Sequence, residues 1–307
     1  MEQKHFHEKR SSTERALSIT EILEAILLHL DLCTILTTAQ LVNRGWRQLI
    51  RESTQIQEAL FFKPEKPRRR RSEPIFNPLL LNAFPSLFPK PGGTSSIISF
   101  KSLDMVQTPE KLAAYARKDA SWRNMLVQQP PITEFAFVDV THAMAGDFFE
   151  QFRLNNLKGN IDLHGRKHRG LRMDTLFGYI LFSPRFYFSD FSTAKVGWST
   201  EEFSAPSLRG HNALKRKQEF EAMMKRFRLF IHNRRVIQCV VGRDSQENEE
   251  QVLRHQIQDA YVEASLDLNW DSAETIEVKY NLLKDIIDGI KSHVESITGF
   301  VTGERGD

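Results

Sequence analysis

Cysteine is nearly missing: Cys33 and Cys239 are the only two in 307 residues. Two thiols cannot build a disulfide framework, and both stand among apolar neighbours, so an intracellular, reducing home is expected, in the cytoplasm, the nucleus or both. No run of 18 or more apolar residues occurs, which excludes a membrane-spanning helix. Residues 1–10 lack the apolar stretch of a secretory signal, and no membrane role is expected. A large charge of one sign is missing too: 42 Lys and Arg against 39 Asp and Glu leave +3, with ten histidines. Bulk charge therefore does not make this a nucleic-acid binder. No Gly-x-Ser-x-Gly elbow, Walker loop or dinucleotide fingerprint occurs, so the common nucleophile and phosphate-cradling chemistries have no motif here. No unit repeats at 20–50 residues, which argues against a propeller or a leucine-rich solenoid.

Metal and cofactor chemistry find no purchase either. His164 and His168 stand four apart, a spacing that puts two ligands on one helix face, but Gly165 and Gly170 weaken a helix there. Arg166, Lys167 and Arg169 would repel a cation, and Asp162 stands alone beside them. His5 and His7 lie in a terminal stretch expected to be mobile, and Glu249 and Glu250 in a polar stretch where both are expected to be solvated. No cofactor, no metal and no catalytic residue is expected.

What the chain does contain divides into zones. Residues 1–16 read as a disordered tail, and residues 17–62 are densely apolar with helical spacing. Residues 63–100 hold nine prolines and glycines, from Pro64 to Gly93, and read as an extended linker. Leu79, Leu80, Phe84, Leu87 and Phe88 lie inside it, so part of the linker is expected to pack on the domain C-terminal to it. The one dense charge cluster, Lys66 with Arg68, Arg69, Arg70 and Arg71, has the form of a nuclear-localisation or phosphate-binding patch, and the form of a solvated linker.

Residues 101–307 have ordinary globular composition and mix both periods. Helical spacing appears near 110–127, 171–181, 213–225, 249–266 and 274–297. Strand-like alternation appears at 133–140 and 185–191, and a hairpin over 228–241 is expected to turn at His232-Asn233-Arg234-Arg235. Helices and strands interleave without a βαβ rhythm, so the expected class is α+β, a small N-terminal three-helix module followed by a mixed helix and strand domain without repeats. The stripe Val278, Leu282, Leu283, Ile286, Ile287, Ile290, Val294 and Ile297 reads as an amphipathic helix; its roughly heptad spacing would allow self-association, but a run of only two to three heptads better suits packing on the protein's own sheet.

The N-terminal module is the most informative stretch. Ser18 followed by Glu21 has the capping-box form. Ile22, Leu23, Ile26, Leu27 and Leu30 form one apolar stripe; Asp31 and Thr34 punctuate; Ile35, Leu36, Ala39, Val42, Trp46, Leu49 and Ile50 form a second. Ser53 or Thr54 can cap a third helix with Ile56, Ala59 and Leu60. About 45 residues cannot bury all of these side chains among themselves, which implies a partner surface in the same chain or another.

Residues 17–31 and 34–50 resemble the two halves of an F-box. The family's glutamate followed by two aliphatics falls on Glu21, Ile22 and Leu23, and its Val-Cys-Arg-x-Trp signature on Val42-Asn43-Arg44-Gly45-Trp46. Ile19 and Thr20 stand where a proline is usual, and Asn43 replaces the cysteine. Residues 57–64, 77–80, 120–131 and 170–176 resemble segments that follow the F-box in filamentous-fungal proteins, without naming an activity. The resemblance implies a non-catalytic substrate receptor of an SCF-type ubiquitin ligase. Its F-box would bind a Skp-type adaptor and through it a cullin–RING ligase, using residues among Ile22, Leu23, Ile26, Leu27, Leu30, Leu36, Val42, Trp46, Leu49 and Ile50, while residues 101–307 capture a target protein. The alternatives are an F-box scaffold acting with the adaptor outside a ligase and, more weakly, nucleic-acid binding through Arg68–Arg71, where no aromatics interleave.

Overall fold

A computed structural model describes residues 11–65, 73–90, 95–143, 146–154, 170–182, 192–198, 218, 221–222, 225, 227–236, 248–266 and 275–280. The chain is α+β: a run of short helices leads into a mixed sheet with helices packed against it. Among the described residues, no helix is long and apolar enough to cross a membrane.

The helical module begins earlier than expected. Ser12–Leu17 forms α1, so the tail is helical from Ser12 onward, with Arg15 donating to the Ser12 hydroxyl. Thr20–Leu28 forms α2. The capping box does not form: Ile19 is the N-cap residue, and the Ser18 hydroxyl donates instead to the Arg15 carbonyl at the end of α1. The second stripe, expected as one helix, breaks into α3 (Leu32–Leu36), α4 (Ala39–Val42) and α5 (Arg44–Glu52). Thr54–Ala59 forms α6, so the three expected helices become five short ones, with α1 added before them. At the starts of α3, α5 and α6 the break is made by a polar cap, which satisfies orphan N–H groups and restarts the helix in a new direction. Asp31 accepts from Thr34 N at 2.9 Å, Asn43 from Trp46 N at 2.9 Å and Ser53 from Ile56 N at 3.1 Å. A Cβ at Gly45 would lie 3.3 Å from the capping Asn43 oxygen, so glycine leaves that cap its space. The hydrogen bond from Thr34 also holds the Asp31 carboxyl below the usual range.

Residues 63–100 are more structured than a linker. Ile75–Phe76 forms β1, Pro78–Ala83 forms α7, Pro85–Leu87 is a 3-10 turn and Ser95–Ile97 forms β2. Proline causes no break at Pro78, because it stands in the first turn, where its missing N–H costs nothing. Asn77 caps that helix, accepting from Leu79 N at 3.0 Å. Phe84, Leu87 and Phe88 are fully buried.

The body is built on a six-stranded sheet. Its other strands are β4 (Phe135–Ala143), β5 (Gly146–Leu154), β6 (Ser192–Gly197), β7 (Phe230–Val236) and β8 (Thr275–Tyr280); β3 (Gln128–Gln129) pairs with β1 in a separate two-stranded sheet. The order is β2-β6-β7-β4-β5-β8, antiparallel except for β4 beside β7. Gly197 lies opposite Phe230, whose ring occupies the space that a Cβ there would take. The expected hairpin at 232–235 is absent, because those residues run straight through β7. That strand is paired on both sides, with β4 and β6, and Asn233 is buried in it. Residues 275–280 are likewise strand, where helix from 274 was expected; Thr-Ile-Glu-Val-Lys-Tyr alternates with period two. The rest of the C-terminal stripe, the 185–191 strand and nearly all of the 213–225 helix lie outside the described residues.

Among the described residues, three longer helices share one hydrophobic core with the sheet: α8 (Pro109–Ala116), α9 (Met173–Phe182) and α10 (Glu249–Glu263). The helix expected over 110–127 stops at Ala116, where Arg117 turns to an extended ψ of 140°. Buried Arg123 folds back on that end, donating to the Arg117 and Ala116 carbonyls at 3.0 and 3.3 Å. The core is aromatic: the Phe177 ring meets Phe84, Trp122 and Tyr261, and Phe88 stacks on Trp198 with centroids 5.4 Å apart. Arg254 and Gln258 from α10 both donate to the Leu181 carbonyl, at 2.8 and 2.6 Å, satisfying the end of α9.

Candidate functional site

The helical module carries two kinds of apolar residue. One set forms its core: Leu23, Leu27, Ile35, Ala39, Ile50, Ile56 and Leu60, contributed by α2 to α6 and the residue after it. The other set faces outward. Ile22 and Ile26 are each 41% exposed, while Leu27, beside them in sequence, is 0% exposed. Helical geometry explains the split: successive residues are rotated by about 100°, so Leu23 and Leu27 point inward while Ile19, Ile22, Ile26 and Leu30 run along another side of α2. Ile22, Ala25, Ile26 and Leu30 line a shallow open groove of about 570 Å3, edged by Glu21 and His29. On α4, Leu41 is 75% exposed and Val42 is 55% exposed.

The ten residues singled out from the sequence therefore separate into three groups. Ile22, Ile26, Leu30 and Val42 are exposed and available to a partner. Leu36, Trp46 and Leu49 are half-buried at the margin of the module's core. Leu23, Leu27 and Ile50 are a correction: they are buried inside the module and present no surface for docking. Ile19 and Leu41 were not singled out, yet both are exposed on the outer side. Ile19 was findable, since it precedes Ile22 by three positions and extends the same stripe. Leu41 was not, because only the breaks on either side of α4 turn it outward.

The charged groups buried in the body hold the fold together. Arg123 pairs with Asp174 at 2.6 Å and lies over the Trp122 and Tyr261 rings at 4.8 and 4.5 Å. Burial pushes the Asp174 carboxyl above its ordinary range, against the pull of that arginine. Burial also lowers Arg254 to about 10. Glu250 joins α10 to the turn at Phe100–Ser102, accepting from the Ser99 hydroxyl at 2.6 Å and from Phe100 N at 2.5 Å. Glu250 was expected to be solvated, and here it is a bonded cap instead. Among the described residues no group of three or more His, Cys, Asp or Glu is placed to hold a metal ion. Cys33 is an exposed free thiol; Cys239, His164, His168 and Arg68–Arg71 lie outside the described residues.

The chain matches no protein-family model, no curated protein and no solved structure.

Proposed function

We propose that this chain is an F-box substrate receptor, a non-catalytic subunit that docks on a Skp-type adaptor through its helical module and presents a target protein bound to its α+β body. The supporting observation is the outward apolar stripe Ile22, Ile26 and Leu30, with Val42 on α4, on a module whose own core is already filled by other residues. Full burial of side chains of this size gains about 1.5–3 kcal/mol each, and with 36–55% of each still exposed a partner can recover roughly half of that, less the cost of association. The stripe coincides with the stretch that resembles an F-box. Through the adaptor the chain would join a cullin–RING ligase and act by proximity, holding target lysines near a charged ubiquitin carrier and making their encounter effectively intramolecular. Such a receptor works inside the cell, in the cytoplasm or the nucleus, with Arg68–Arg71 as the candidate nuclear address.

Affinity capture of the tagged full chain from cell extract tests this. Adaptor and cullin recovered together support the receptor reading. Adaptor without cullin favours a scaffold outside the ligase. Recovery of neither, or of nucleic acid alone with steep salt dependence, contradicts the proposal.

A further inference from the structure

Residues 125–129 lie where the helical module meets the body, and nearly every polar group there is bonded to one side or the other. We propose that this segment is a strut that locks the module and the body into one rigid unit, so that a partner docked on the module points in a fixed direction relative to the sheet. The inference does not depend on what the module binds.

Toward the module, the strut holds the end of α6. Gln129 is 5% exposed, and its side chain does most of the gripping. Its Nε2 donates to the Glu58 carbonyl at 2.8 Å and to the Lys63 carbonyl at 3.4 Å, while its Oε1 accepts from Glu65 N at 2.9 Å. Leu126 N donates to the Phe61 carbonyl at 2.8 Å, and Arg172 adds a bond to the Phe62 carbonyl at 3.3 Å. Phe61 sits at φ 62°, in the left-handed region, where the chain leaves the end of α6.

Toward the body, the same five residues are tied down along their length. Met173 N donates to the Met125 carbonyl at 2.9 Å, and Val127 N to the Leu171 carbonyl at 3.2 Å. Asn77 donates from its side chain to the Leu126 carbonyl at 3.2 Å and from its backbone to the Val127 carbonyl at 3.1 Å. Gln128 and Gln129 pair with Phe76 and Ile75 as β3 and β1. Apolar packing runs across the same junction, because Leu36 and Phe62 touch both the module's core and the body's core. Any hinge motion would have to break several of these buried bonds at once and leave their partners without water, which makes a soft hinge unfavourable.

The test uses the full chain with Cys239→Ser and Val262→Cys, so that spin labels sit at Cys33 on the module and at exposed position 262 on α10. Pulsed dipolar spectroscopy then reads the distance between module and body directly. A single narrow distance distribution is expected, and adding Gln129→Ala is expected to widen it or add a second population. A broad or multiple distribution in the parent overturns the proposal. A narrow parent distribution that Gln129→Ala leaves unchanged, in a variant with parental circular dichroism, overturns the role given to Gln129. Should Gln129→Ala lose its helical signal, the parent distribution decides alone.

Discussion

Leu27 and Ile26 are adjacent in sequence, similar in size and chemistry, and expected to respond oppositely to truncation. Leu27 is fully buried, surrounded by Leu23, Ile35, Ile50, Ile56 and Leu60. Leu27→Ala removes its transfer energy and leaves a cavity walled by several helices that cannot all move in. Such substitutions cost about 2–5 kcal/mol, and poor collapse places this one toward the upper half. Ile26 is 41% exposed, so Ile26→Ala gives up only part of a full burial and leaves no enclosed void. A partial loss of that kind costs about 1 kcal/mol. The difference, roughly 2.5–4 kcal/mol, corresponds to about 70-fold or more in the unfolding equilibrium constant. Urea unfolding of each full-length variant, followed by far-UV circular dichroism, measures it. Equal losses for the two variants, or a larger loss for Ile26→Ala, would refute the assignment of inner and outer faces on α2.

Two further outcomes rest on local chemistry. Asn43→Ala removes the cap on Trp46 N and is expected to cost about 1 kcal/mol, with Asn43→Ser recovering most of it in the same melts; an unchanged midpoint for Asn43→Ala would contradict the cap. Asp104 accepts from Lys111 at 2.6 Å and from Tyr115 at 3.0 Å, and the Lys111 bond is the main cause holding its carboxyl below the ordinary value. A carboxyl depressed in the folded state binds fewer protons there than in the unfolded chain, so its contribution is present above the unfolded pKa of about 3.9 and lost as pH falls through the lower folded value. Asp104→Asn is therefore expected to flatten the acid limb of the stability profile and leave its neutral-to-basic shape unchanged; a parallel shift at every pH would contradict the linkage.

Period identified several elements but overran at 110–127 and suggested helix where residues 275–280 form a strand. The stripes along α2, α9 and α10 and the alternation in β4 all matched the elements that formed, because burial enforces those periods. The second apolar stripe of the module misled, since Ala39, Val42, Trp46 and Ile50 keep helical spacing through a chain that Asn43 restarts. The strand β7 misled the other way: Asn233 and Arg234 carry turn chemistry, but two neighbouring strands supply the ladder that local preference argues against. The α2 stripe also mixed two faces, because Ile22 and Leu23, like Ile26 and Leu27, are adjacent apolar residues that periodicity assigns to one broad face. Deciding which of each pair points inward requires knowing where α5 and α6 pack. Gln129 gave no signal of its own chemistry, since a glutamine beside another reads as surface until its three partners on residues 58, 63 and 65 come within reach.

The most direct test of the docking assignment is adaptor capture by the full chain carrying Ile22→Asp and Ile26→Asp, compared with the parent and checked by thermal melting. Both positions are exposed, so the two charges are tolerated in the free protein and excluded only from a dry interface. The expected result is parental melting with adaptor capture abolished. A folded double variant that captures the adaptor at parental strength, or a parent chain that never captures it, would contradict the F-box reading.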